Sequence, residues 1–112
     1  MGESVDLQAL VRAINQALIL GTVRNEPKHG YQIAMDVETA TGGMFAFQHG
    51  TLYPILHRLE KDRLIAGHWE TADGRRRKIY SLTPRGRDSL AEQSARIHEI
   101  ARVLTGVLEL AE

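Results

Sequence analysis

The spacing of apolar residues changes near Gly67, and that change fixes the order of elements in the chain. Upstream, apolar side chains recur at intervals of three and four, the period of helices. Residues 64–70 and 78–82 are instead short stretches rich in β-branched and aromatic residues, and read as two strands. Between them lies a turn over 71–77, with Asp73-Gly74 as its signal and Arg75, Arg76, Arg77 and Lys78 as a basic tip. Thr83-Pro84 then restarts a helix, with threonine as cap and proline in the first helical position. A basic hairpin that directly follows a pair of helices describes a winged helix: mainly α, with a small β-hairpin.

The upstream helices can be placed from their stripes. Over residues 5–20 the positions Leu7, Leu10, Val11, Ile14 and Leu18 make a wide apolar face. Ser4 is expected to cap this helix, with Asp6 in its first turn and Gly21 near its end. Residues 24–28 contain Pro27 and read as a connection. Residues 30–40 form a second helix, with Ile33, Ala34, Val37 and Ala40 inward and Gly42-Gly43 as its stop. Residues 44–47 are a short apolar link, either a one-turn extension or a piece of strand. The third helix covers residues 49–63, HGTLYPILHRLEKDR. Leu52, Ile55, Leu56 and Leu59 face inward. Thr51, Pro54, Arg58 and Lys61 face outward, with His57 beside them. Pro54 sits in the first turn, where its missing N–H costs little. A helix of this size fits a DNA major groove, and its N-terminal residues are the usual base readers. Taken alone it also reads as an ordinary core helix with a solvated face; the helix before it and the basic hairpin after it favour DNA.

Net charge is zero, but the charge is unevenly spread. Residues 49–87 hold nine Lys/Arg against four Asp/Glu, a surplus of five positive charges, and the remainder carries the matching negative surplus. A partner responds to that local field rather than to the sum. There is no cysteine, which excludes disulfides and thiolate metal sites. No run of eighteen apolar residues and no signal peptide is found, so no membrane partner and a cytoplasmic location are expected. None of the five histidines has a His, Asp or Glu four residues on, so no metal site is expected. No catalytic constellation or phosphate loop stands out, so neither enzymatic activity nor a cofactor is expected.

The last helix, 84–111, would be roughly 42 Å long at 1.5 Å per residue. A domain of some 80 residues is only about 25 Å across, so the helix must project beyond it. Its apolar positions step by four and three, and an overhanging apolar helix needs a partner, most simply a second copy of the chain. The expected organisation is one unit: a DNA-binding part, 1–83, and a dimerisation helix, 84–112. The seam would use Leu7, Val11, Ile14, Leu18, Leu90, Ile97, Ala101, Leu104 and Leu108. Small residues in it, Ser94 and Ala101, suggest an apolar effector pocket lined by Ile14, Leu18, Ile97, Ala101 and Leu104. A close-packed, ligand-free dimer is the alternative.

Several blocks resemble the PadR family of bacterial transcriptional regulators. They are Leu18-Ile19-Leu20-Gly21, His29-Gly30-Tyr31-Gln32-Ile33, Gly50-Thr51-Leu52-Tyr53-Pro54-Ile55-Leu56-His57-Arg58-Leu59-Glu60, Leu64-Ile65 with Trp69, Gly74-Arg75 to Tyr80, and Leu82-Thr83-Pro84-Arg85-Gly86. The resemblance implies a dimeric winged helix that binds promoter DNA, usually as a repressor, and in many members release by a small effector. The single short C-terminal helix is similar to the compact subgroup, some of whose members bind flat drugs through an aromatic on that helix. Residues 84–112 contain no Phe, Tyr or Trp, which points away from that ligand class. The expected DNA contacts are Tyr31, Gln32, His49, Thr51, Tyr53, Pro54, His57, Arg58, Lys61 and the four basic hairpin residues. Tyr31 and Tyr53 each open a helix, and the resemblance favours phosphate contact for both. Arg58 suits guanine, and the Thr51 methyl suits thymine. Trp69 is expected to pack in the core or hinge. The competing reading is a winged-helix module that binds protein and does not read DNA.

Overall fold

The computed structural model describes residues 4–109. In chain order its elements are α1 (Leu7–Thr22), β1 (Lys28–His29), α2 (Gly30–Ala40), α3 (His49–Lys61), β2 (Ile65–Ala72), β3 (Arg75–Leu82) and α4 (Pro84–Glu109). The expected end of the last helix, residues 110–111, lies outside the described residues, as do residues 1–3.

α1 starts two residues later than its stripe suggests. Its cap is Asp6, not Ser4: the Asp6 carboxylate accepts from the amides of Gln8 (3.0 Å) and Ala9 (3.2 Å). α2 ends where expected, with Gly42 and Gly43 at positive φ just beyond. The 44–47 link is neither helix nor strand. The Thr41 hydroxyl shapes it by accepting from the Phe45 amide (3.1 Å). α3 stops at Lys61 rather than residue 63, because Arg63 takes a left-handed conformation (φ 63°) and the Leu64 amide reaches back to the Leu59 carbonyl (2.9 Å).

The hairpin is longer and tighter than its sequence pattern indicates. Asp73 (φ 52°) and Gly74 (φ 73°) alone form the turn. Two successive positive-φ residues are what a type I′ hairpin turn needs, and Asp-Gly supplies them cheaply. Arg75, Arg76 and Arg77 therefore lie in β3, paired with Ala72, Thr71 and Glu70, and not in a loop. The segment expected as a plain connection ends in a third strand, β1, which pairs with β3 at Lys28↔Tyr80 and His29↔Ile79. The sheet is antiparallel in the order β1-β3-β2.

The core lies where α1, α2, α3 and the base of the sheet meet. Ile19, Leu20, Ile33, Leu52, Leu56, Leu59 and Ile65 are buried there, with Tyr80 closing it on the sheet side. Each such side chain contributes about 1.5–3 kcal/mol of transfer free energy. Outer residues of α4 add nothing to this core: residues 101–109 are all exposed. The molecule measures 59 × 28 × 24 Å with a radius of gyration of 16.0 Å. A compact chain of this length would have about 13 Å, so α4 does project. α1 and α4 pack antiparallel, with the Arg87 guanidinium on the Arg24 carbonyl (3.3 Å) and Gln93 against Gln16 (3.4 Å).

An ion pair between Lys28 and Asp36 ties β1 to α2, and Gln32 Nε2 donates to the same carboxylate (2.7 Å). The hydrogen bond from Lys28 is the main cause holding the Asp36 carboxyl below its ordinary 3.8; partial burial opposes it. Because the folded value is depressed, the pair's stabilisation is present above pH 3.8 and is lost as pH falls through the folded value. Both side chains keep some water contact, so the effect is under about 1 kcal/mol. Asp36→Asn should therefore be slightly less stable than wild type at pH 7, and the gap should narrow as pH falls below 3.8 in urea titrations. A gap that does not change with pH would show that the carboxylate's charge is not its cause.

Candidate nucleic-acid interface

The helix pair and the sheet enclose a cleft of about 660 Å³ that holds Tyr31 and Gln32 of α2, Tyr53 of α3, and Trp69, Arg76, Arg77 and Lys78 of the wing. Gly30 makes the approach of the two helix starts possible. A Cβ there would stand 3.1 Å from Tyr53 Cε1 and 3.2 Å from Leu56 Cδ1. Neither α2 nor α3 has a side-chain cap at its N-terminus. The uncapped start of α2 thus opens onto a cleft rimmed by phenols and the Arg76 guanidinium, an environment suited to anions.

The thirteen expected contact residues do not all share one surface. Tyr31, Gln32, Tyr53, Arg76, Arg77 and Lys78 border the cleft. Thr51, His57 and Lys61 are exposed on α3, and Arg75 is exposed near the wing turn. Pro54 and Arg58 line a separate depression of about 260 Å³ with Arg12, Asn15 and Gln16 of α1. The outer face of α3 is therefore graded, from Tyr53 on the wing side to Arg58 on the α1 side. The side chain of His49 is outside the described set.

Strand alternation divides the basic residues of β3. Arg76 and Lys78 share a face with Trp69 and Tyr80, while Arg75 and Arg77 take the other. The core or hinge packing expected for Trp69 is not what it does: its side chain is 56% exposed. The lengthened hairpin carries it past the helices that cover the base of the sheet. The Arg76 guanidinium lies 4.8 Å from its ring centroid instead, a cation–π contact that holds Arg76 in place.

Lys78 is engaged internally. Its Nζ donates to Glu60 Oε1 at 2.7 Å, and that bond is the main cause raising the Lys78 amine above 10.5. Glu60 and Gly67, which makes room for it, were not among the expected site residues. Only the strand register brings position 78 to the end of α3, and the sequence alone does not state that register. Among the described residues there is no group of three or more His, Asp or Glu arranged to hold a metal, and no helix long and apolar enough to cross a membrane.

A two-helix unit, a three-stranded wing and a long trailing helix make a winged-helix fold. The family described as "Transcriptional regulator PadR-like family" matches residues 19–92, and the chain belongs to it. It is similar to the transcriptional regulator Rv3488 of Mycobacterium tuberculosis, 38% identical over 79 residues, which are 70% of this chain and 61% of that protein. The chain thus spans about three fifths of that relative. Among solved structures it resembles a PadR family transcriptional regulator from Eggerthella lenta (30% identity, TM-score 0.76, covering 92% of this chain and 88% of that one). It also resembles a PadR family transcription regulator from Clostridium difficile (29% identity, TM-score 0.72, covering 83% and 96%).

Proposed function

We propose that this regulator binds duplex DNA as a homodimer, with α3 in the major groove and the wing and the start of α2 on the backbone. The observation that carries the reading is the gathering of Tyr31, Tyr53 and Arg76 around one cleft beside the exposed face of α3, with Arg77 at its edge on the other face of the wing. The two tyrosines and the arginines serve phosphate, and Thr51, His57 and Lys61 are the residues offered to base edges. A module that binds protein instead would have little use for an arginine triplet or a polar outer face on α3.

Support for the dimer comes from the opposite end of the molecule. Leu7 is 72% exposed and Leu108 70%, with Val11, Val103, Leu104 and Val107 also open. Ile14, Leu18, Leu90 and Ile97 are half-buried on α1 and α4. An apolar strip of this kind on a small protein marks an interface. The same proposal divides the chain into a DNA-binding part, 1–83, and a dimerisation helix, 84–112, with the outer face of α1 contributing to the seam. Repression as the sense of regulation rests on the family resemblance.

An apolar effector at the seam is part of the same reading, with one geometric condition. The antiparallel packing brings Gln93 to Gln16, so Leu104 falls beside the start of α1, far from Leu18. The distance along the helices is about 18 Å at 1.5 Å per residue. A pocket using Ile14, Leu18, Ile97, Ala101 and Leu104 together would have to be closed by the partner copy. Selection of bound sites from random duplexes, followed by sequencing, tests the proposal. The expected product is a pseudo-palindrome with half-sites about one helical turn apart. Failure to enrich any sequence would contradict it.

A further inference from the structure

The fourth basic residue of the wing is committed inward. Lys78 Nζ and Glu60 Oε1 are 2.7 Å apart, and both side chains are less than a third exposed. Two rings flank the amine, with its Nζ 5.7 Å from the Trp69 centroid and 5.6 Å from that of Tyr80. The space for the pair comes from Gly67. A Cβ at that position would stand 2.5 Å from Lys78 Cε and 2.9 Å from Glu60 Oε2. The φ of Gly67 is not positive, so its backbone does not call for glycine; the missing side chain is what matters. Glu60 lies in the last turn of α3 and Lys78 midway along β3. One buried-side bond therefore joins the recognition helix to the wing.

We propose that Glu60 is a specificity-determining positioning residue: it withholds Lys78 from the DNA backbone and uses it to hold the wing at a fixed pitch against α3. The inference rests on the DNA-binding reading above. A phosphate contact adds affinity for every sequence alike, whereas base contacts discriminate. With the wing pinned to α3, its arginines meet the backbone in register only when α3 is seated on its site. A released wing, carrying one more free cation, reaches phosphates in any register. The tether thus trades non-specific affinity for selectivity.

The test uses the full chain and two duplexes of equal length, one carrying the selected site and one with that site shuffled. Binding is followed by fluorescence anisotropy from 50 to 200 mM salt. Glu60→Gln keeps the shape of the side chain and removes the carboxylate charge, so Lys78 loses its ion pair. It should bind the shuffled duplex about threefold tighter at the lowest salt, with the slope of log K against log salt steeper by about one. The ratio of specific to shuffled affinity should fall. Lys78→Gln should leave the wild-type slope, and the double variant should return to it. Gly67→Ala displaces the pair without changing net charge. It should lower the affinity ratio too, and it carries the test should Glu60→Gln fail to fold by circular dichroism. A steeper slope that survives in the double variant would reduce the effect to net charge and overturn the proposal. A slope shallower by about one in Lys78→Gln would mean that Lys78 already touches phosphate, and would also overturn it. So would four equal slopes with an unchanged ratio. Wild type that binds neither duplex would overturn the DNA reading itself, and this inference with it.

Discussion

Leu104→Glu is expected to convert a dimer into monomers or aggregates at micromolar concentration. Leu104 lies on the part of α4 that extends past the core, with Val103, Val107 and Leu108 beside it, all open in the single chain. None of them supports the fold of the protomer, so the substitution spares the core and strikes only the seam. Placing an unpaired carboxylate in a desolvated apolar seam costs several kcal/mol, enough to dissociate most dimers of modest area. Loss of the proposed dimer would also separate its two α3 helices. Affinity for a two-half-site operator should fall by about 100-fold or more, because the second half-site no longer binds intramolecularly. Light scattering checks the first effect and operator titration the second. A folded wild-type monomer at the same concentration would contradict this account of α4.

Gly86→Val should be strongly destabilising to the protomer. Gly86 is buried where α4 departs from the wing. A Cβ there would stand 2.0 Å from the Leu64 carbonyl oxygen and 2.6 Å from Leu82 Cδ1. Backbone oxygen cannot rotate away as a side-chain end can. Thr83 holds the helix start in place: its hydroxyl donates to the Arg63 carbonyl (2.7 Å) and accepts from the Gly86 amide (2.9 Å), while its own amide reaches the Leu64 carbonyl (3.2 Å). Relieving the clash means undocking α4. The expected cost exceeds about 3 kcal/mol, the upper range for overpacking. At 4–8 °C per kcal/mol for a domain of this size, the thermal midpoint should drop by at least about 12 °C. Gly86→Ala should show a smaller loss of the same sign, and an unchanged midpoint in both variants would mean that α4 does not seat against Leu64.

Where local chemistry decides the structure, the sequence is informative. Asp73-Gly74 and Thr83-Pro84 each act within a few residues, and both mark the turn and the helix start found there. The limits of α2 follow from its stripe and from Gly42-Gly43 in the same way. Features that depend on distant pairing are not legible. β1 is only two residues long, too short to show a period, and exists because β3 offers it a partner. Arg75, Arg76 and Arg77 read as loop because a run of charges resembles one; cross-strand pairing through a tight turn makes them strand. The same lengthening brings Trp69 into the open and Lys78 to Glu60. The candidate site was thus legible as a set of basic and aromatic residues, while their division into outward and tethered members depended on register.

Whether the wing and α3 form a DNA-binding face is decided by the salt dependence of duplex binding with and without the wing arginines. Wild type and the Arg75→Ala/Arg76→Ala/Arg77→Ala variant are titrated against one random-sequence duplex from 50 to 200 mM salt. Wild type should lose affinity steeply, and the variant should show a slope shallower by about one for each contact removed. Indistinguishable slopes, or no binding of duplex by the wild type at any salt, would contradict a DNA-binding face.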